Sequence, residues 1–141
     1  MRRAILLAAA VCSAAVASQA APAHSLRLIG FRMPSRNIAC QYFRAEFGHK
    51  AVIRCDIFSG LKPEPRKACE LDWTGVAMTK RGKASAVCAG DTVYDKRLRI
   101  LRYGHVWKHR GIGCKSTRAG LKCHNRGGHG FFLSRQRWRV Y

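Results

Sequence analysis

Acidic residues are what this chain most lacks. Against 27 Lys and Arg it has 7 Asp and Glu, and all seven acids lie between Glu46 and Asp95. From Lys96 to Tyr141, forty-six residues, there are thirteen Lys or Arg and no acid. Such an excess attracts polyanions, argues against cationic partners, and works against the compact state by self-repulsion. Other absences narrow the reading. No Cys-x-x-Cys occurs, which removes the usual zinc pattern. Gly-x-Ser-x-Gly, His-Glu-x-x-His and Gly-Lys-Ser/Thr are missing, so no familiar hydrolase, metalloprotease or phosphate-loop signature is present. No stretch sustains a 3.6-residue apolar period, which argues against helices. Internal repeats and low-complexity tails are also absent.

The start of the chain reads as an export signal spanning residues 1–23. Arg2 and Arg3 precede an alanine-rich apolar run from Ala4 to about Val16, and small residues offer cleavage after Ala20 or Ala23. That run is shorter than the ~20 residues a membrane span needs, and no later run approaches that length. Cys12 follows Val11 rather than the small residue a lipoprotein signal requires, so it belongs to the signal. Removing the first 20 of 141 residues leaves 121, enough for one β-rich domain over residues 24–141. Losing Arg2 and Arg3 lowers the net charge from +20 to +18.

Six cysteines then remain: Cys40, Cys55, Cys69, Cys88, Cys114 and Cys123. An even set behind an export signal reads as a disulfide framework. Alternation places Ile38, Cys40 and Tyr42 on one face of a strand, and Ile53, Cys55 and Ile57 on one face of the next. Folding at Phe47-Gly48 sets Cys40 opposite Cys55, Tyr42 opposite Ile53 and Ile38 opposite Ile57. The register that pairs the cysteines therefore pairs the apolar faces as well, and such a bridge contributes ~3 kcal/mol. Folding at Arg118-Ala119 sets Cys114 opposite Cys123 in the same manner. Cys69–Cys88 follows by elimination, since these two do not face each other in the simplest hairpin around Lys80-Arg81-Gly82.

Further strands are expected at Leu26–Met33, Lys96–Ile100 (Arg97 and Arg99 on one side, Leu98 and Ile100 on the other), His105–His109 and Arg135–Val140. Short strands and frequent glycine turns indicate an all-β fold, a small disulfide-linked antiparallel sandwich or barrel.

With these motifs laid out, the chain resembles a family of small exported bacterial proteins that carries only the name of a domain of unknown function. The resemblance rests on Pro34 to Cys40, Arg54 to Ile57, Gly90 to Val93, Tyr103-Gly104 with Trp107, and Gly120 to Arg135. Arg36 departs from it, because relatives often have glycine there. The resemblance implies an exported, disulfide-linked single domain and no activity, cofactor or ligand.

Candidate sites come from the basic half. Lys115, Arg118, Lys122, Arg126, His129, Arg135, Arg137 and Arg139 are the expected anion-binding set. Arg135, Arg137 and Arg139 would recur every ~6.6–7 Å along an extended strand, close to the phosphate spacing of a stretched nucleic acid. The stretch from His124 to Gly130 reads first as a turn that needs positive φ at several positions, with an anion nest of glycine amides as the other reading. His105 and His109 flank Trp107, but in a strand they stand ~13 Å apart, too far for one metal ion. No metal or cofactor is therefore expected. His124, His129, Lys122 and Asp91 are the candidates for acid–base chemistry.

The leading expectation is a non-enzymatic binding module, periplasmic or extracellular in a bacterium, for an anionic envelope polymer or lipid head group. Nucleic acid is a less favoured partner. A secreted ribonuclease-like hydrolase is the alternative, and an inhibitor of a hydrolase ranks last.

Overall fold

A computed structural model describes residues 27–141, and the export-signal reading with Cys12 falls outside them. Ten strands form two sheets, each a simple antiparallel meander of five. The first sheet contains β1 (Gly30–Arg32), β2 (Ile38–Phe43), β3 (Val52–Ile57), β4 (Asp72–Thr79) and β5 (Ser85–Ala89), in that order. The second contains β6 (Val106–His109), β7 (Ile112–Thr117), β8 (Gly120–Asn125), β9 (Gly130–Leu133) and β10 (Trp138–Val140). The all-β expectation holds, and of its two forms the sandwich is the one found.

The inner faces follow from alternation. Ile38, Cys40, Ile53, Cys55, Val76 and Met78 point inward from the first sheet and meet Ile112, Cys114, Leu121, Cys123, Phe131 and Leu133 from the second in one buried core. Phe31 packs on Trp107 at 5.3 Å between ring centroids, and Tyr42 meets His109 edge-on at 4.5 Å. β1 and β2 therefore face β6 and its neighbours.

The three expected disulfides are present. Cys40 pairs with Cys55 and Cys114 with Cys123 directly across their hairpins, with Cα separations of 4.0 and 4.1 Å. The register Ile38–Ile57 and Tyr42–Ile53 is as the alternation requires. Each sheet thus carries one buried cross-strand bridge on its inner face. Cys69–Cys88 differs: Cys88 stands opposite Trp73, and Cys69 precedes β4 altogether. A bulge between Trp73 and Gly75 shifts the register there. Gly75 itself has no room for a side chain, because a Cβ would collide with the carbonyl oxygen of Cys55 on the neighbouring strand.

Two strand expectations are corrected. Lys96–Ile100 is not a strand; it makes a single bridge, Ile100 to Arg32. Asp95 turns the chain there, its carbonyl accepting from Leu98 N and its carboxylate from Arg97 N. Leu98 is buried while Ile100 is half exposed. The segment from Gly90 onward instead lies as a strap over the outer side of the first sheet, and its end, Arg99 to Leu101, runs along the edge of β1 with Leu101 in the core. Val93 donates its N–H to the buried carboxylate of Asp56, and Gln41 Nε2 donates to Val93 O.

The second correction concerns Arg135–Val140, where β10 begins only at Trp138. The Ser134 hydroxyl accepts from the N–H groups of Gln136 and Arg137, making Arg135-Gln136 a hairpin turn. The first strand is also shorter than expected, starting at Gly30. Arg36 has φ of 56°, the left-handed region where glycine is favoured.

Candidate cationic face

The second sheet contains no acid, so its outward positions carry charge of one sign. Cross-strand pairing runs Val106–Lys115, Lys115–Lys122, Lys122–Phe132 and Phe132–Arg139. These residues form one row across all five strands, on the face opposite the disulfide. With strands ~4.8 Å apart, Lys115 and Lys122 are neighbours and Arg139 lies ~10 Å further along. That span is comparable to the ~8–10 Å Debye length at physiological salt, so the charges act together on an anion above the row. A second row holds Lys108, Gly113 and His124. The imidazole of His124 lies over Gly113, where a Cβ would sit 2.8 Å from it.

Aromatic rings hold the charged heads in place. Arg137 stands 5.7 Å from the Phe132 centroid and Lys122 Nζ 5.9 Å from that of Tyr141. Tyr141 crosses β9 over Gly130, donates its hydroxyl to Cys123 O at 3.2 Å, and has its phenol raised above the usual range by burial. Contacts of this kind are worth ~0.5–1 kcal/mol at exposed sites.

The eight expected binding residues divide among three places. Lys115, Lys122 and Arg139 share the row, with Arg137 beside it. Arg118 and Arg135 sit on the two turns at one end of the sheet and line a pocket of about 300 Å³, Arg118 lying 5.4 Å from the Tyr103 ring centroid. Arg126 lies on the β8–β9 turn at the opposite end, lining a pocket of about 380 Å³ with Lys108, Arg110 and His124. His129 is half-buried in that same turn. The Arg135–Arg137–Arg139 ladder does not form, because Ser134 places Arg135 in a turn rather than in the strand.

Of the two readings of the His124–Gly130 stretch the turn holds and the nest does not. Asn125 Oδ1 accepts from Gly127 N and His129 N, Asn125 O accepts from Gly128 N, and Gly130 N donates to Tyr141 O. Every amide from Gly127 to Gly130 is thus consumed inside the protein. Asn125 also donates to Thr79 O at 2.9 Å and Gly82 O at 2.8 Å, joining the second sheet to the β4–β5 turn. Gly127 packs against that turn, where a Cβ would strike Arg81 O.

Negative charge is confined to the other side. Arg54 on β3 forks onto Asp56 and reaches Asp91 at 2.8 Å. That hydrogen bond holds the Asp91 carboxyl below the usual carboxylate range. Hydrogen bonds from Arg97 bring Asp95 down to about 2. Asp91 is consequently on the first sheet's side, away from Lys122 and His124 on β8 and from His129 on the β8–β9 turn, so the four candidates for acid–base chemistry are not brought together.

Residue reading missed Arg27, Arg44, Arg99 and Lys108, which line a groove with Trp107 at the edge of the sandwich. They come from four separate segments, so no local spacing announces them. Among the described residues no helix is long and apolar enough to cross a membrane. No curated protein and no solved structure matches the chain. A family match runs over residues 5–141, and on it the chain belongs to the family of unknown function DUF6636.

Proposed function

We propose that this protein is an exported binding module, working in the periplasm or outside a bacterial cell, whose second sheet engages an anionic envelope polymer or lipid head group. One observation carries the reading: Lys115, Lys122 and Arg139 stand in a single row on a sheet that has no acid in any strand. Like charges directly opposite each other destabilise a β-pair. The Lys115–Lys122 pair therefore works against the fold, and a solubilising surface alone would be better served by mixed signs. The adjacent Cys114–Cys123 bridge ties together the same two strands and offsets that repulsion. Three disulfides suit an oxidising compartment, where such bridges persist.

The rival reading, a secreted ribonuclease-like hydrolase, draws on the exposed His124 beside Lys122. Both are tested by mixing the oxidised protein with vesicles containing anionic phospholipid, with an acidic polysaccharide, and with RNA. The binding-module reading predicts retention on anionic vesicles or polysaccharide, none on zwitterionic vesicles, and intact RNA. RNA cleavage abolished by His124→Ala would replace it with the hydrolase.

A further inference from the structure

The two sheets end unpaired to each other at β1 and β6, and the gap between these edges is a groove of about 660 Å³. Four cations converge on it from four segments: Arg27 before β1, Arg44 after β2, Arg99 on the strap and Lys108 on β6. All four are exposed, and none forms an ion pair among the described residues. No acid lines the groove; its fifth cation, Arg97, is already neutralised by Asp95 at 2.7 Å.

The floor is different in kind. Trp107 is half-buried, with Phe31 behind it at 5.3 Å and His109 next to it at 5.7 Å. Among the described residues the Nε2 of His109 is buried and has no hydrogen-bond partner. Burial, and after it the charges of Arg110 and Arg44, hold His109 below the ordinary histidine range, so the ring is neutral at pH 7.

We propose that this groove binds a small phosphate ester. Its phosphate oxygens lie between Arg44, Arg99, Arg27 and Lys108, and its ring lies on Trp107. Guanidinium forks match phosphate oxygens in pairs, and an ammonium adds a point charge. The volume is that of a small-molecule site rather than of a track for a polymer. The site shares Lys108 and Val106 with the outer face of the second sheet but takes none of Lys115, Lys122 or Arg139, so either can fail without the other.

Sugar and nucleotide esters share this chemistry, so calorimetric titration uses three probes: inorganic pyrophosphate, a hexose 1-phosphate and a nucleoside diphosphate. At least one ester should bind one per chain and more tightly than pyrophosphate, and the tighter ester identifies the ring. The double variant Arg44→Ala/Arg99→Ala should weaken that ester at least about tenfold, and Lys108→Ala should weaken it as an independent removal. Trp107→Phe, which keeps the packing on Phe31, should remove the tryptophan fluorescence change on binding. The charge-matched Lys67→Ala/Lys83→Ala, on the first sheet's side, should leave affinity within about twofold. The proposal is overturned if no probe saturates below ~1 mM. It is equally overturned if both double variants weaken binding alike, or if pyrophosphate binds as well as both esters.

Discussion

Asn125 ties the two sheets together through one side chain. Its amide accepts two backbone N–H groups of the β8–β9 turn and donates to two carbonyls of the β4–β5 turn. Removing it leaves four part-buried backbone groups without that partner, each worth roughly 0.5–1.5 kcal/mol when paired. Asn125→Ala should therefore lower unfolding stability by ~2–4 kcal/mol in urea denaturation. A loss under ~1 kcal/mol would mean that water replaces the amide without cost. From the sequence alone this stretch reads as a glycine turn or an anion nest, because Gly127 and Gly128 dominate its local pattern and Asn125 stands two residues before them. Local spacing identifies a turn. It does not reveal that the partners of Asn125 lie more than forty residues away in Thr79 and Gly82.

At the scale of the elements, legibility followed how local the constraint was. The hairpins β2–β3 and β7–β8 were readable to the residue, because period-two alternation and the cysteines imposed the same register. Lys96–Ile100 and Arg135–Val140 alternate as well, yet a single side chain overrides the pattern in each. Asp95 and Ser134 capture backbone N–H groups and turn the chain before a ladder can form. The bulge ahead of Gly75 hid the Cys69–Cys88 geometry in a similar way, and only elimination recovered the pair.

The β7–β8 hairpin also carries a prediction of its own. Lys122→Glu turns a like-charged pair with Lys115 into an opposite-charged one. It should raise stability by ~0.5 kcal/mol, while the same reversal at Lys67, on the loop before β4, should change it less. Thermal denaturation of the two variants checks this. An unchanged or lowered midpoint for Lys122→Glu would show that the row imposes no strain on the fold.

For the molecule as a whole, the absence of acids after Asp95 was the most informative feature of the sequence, and the fold converts it into a spatial one. Because each sheet is a meander of consecutive strands, the C-terminal half of the chain becomes one sheet, and a gradient along the sequence becomes a difference between two faces. The presence of a cationic face was thus legible. The particular row was not, since it depends on β9 contributing Phe132 and on Arg135 leaving the strand. The edge groove was invisible for the same reason: four segments far apart in sequence form it.

The most direct measurement compares two charge-matched double reversals binding a soluble acidic polysaccharide across a range of salt concentrations. Lys115→Glu/Lys122→Glu alters the row, and Lys67→Glu/Lys83→Glu makes the same net change on the first sheet's side. If the row is the contact surface, the first pair should lower affinity sharply and reduce the slope of log affinity against log salt by about two, while the second leaves the slope nearly unchanged. Equal losses in both variants would contradict the account, because binding would then respond to net charge and not to the row.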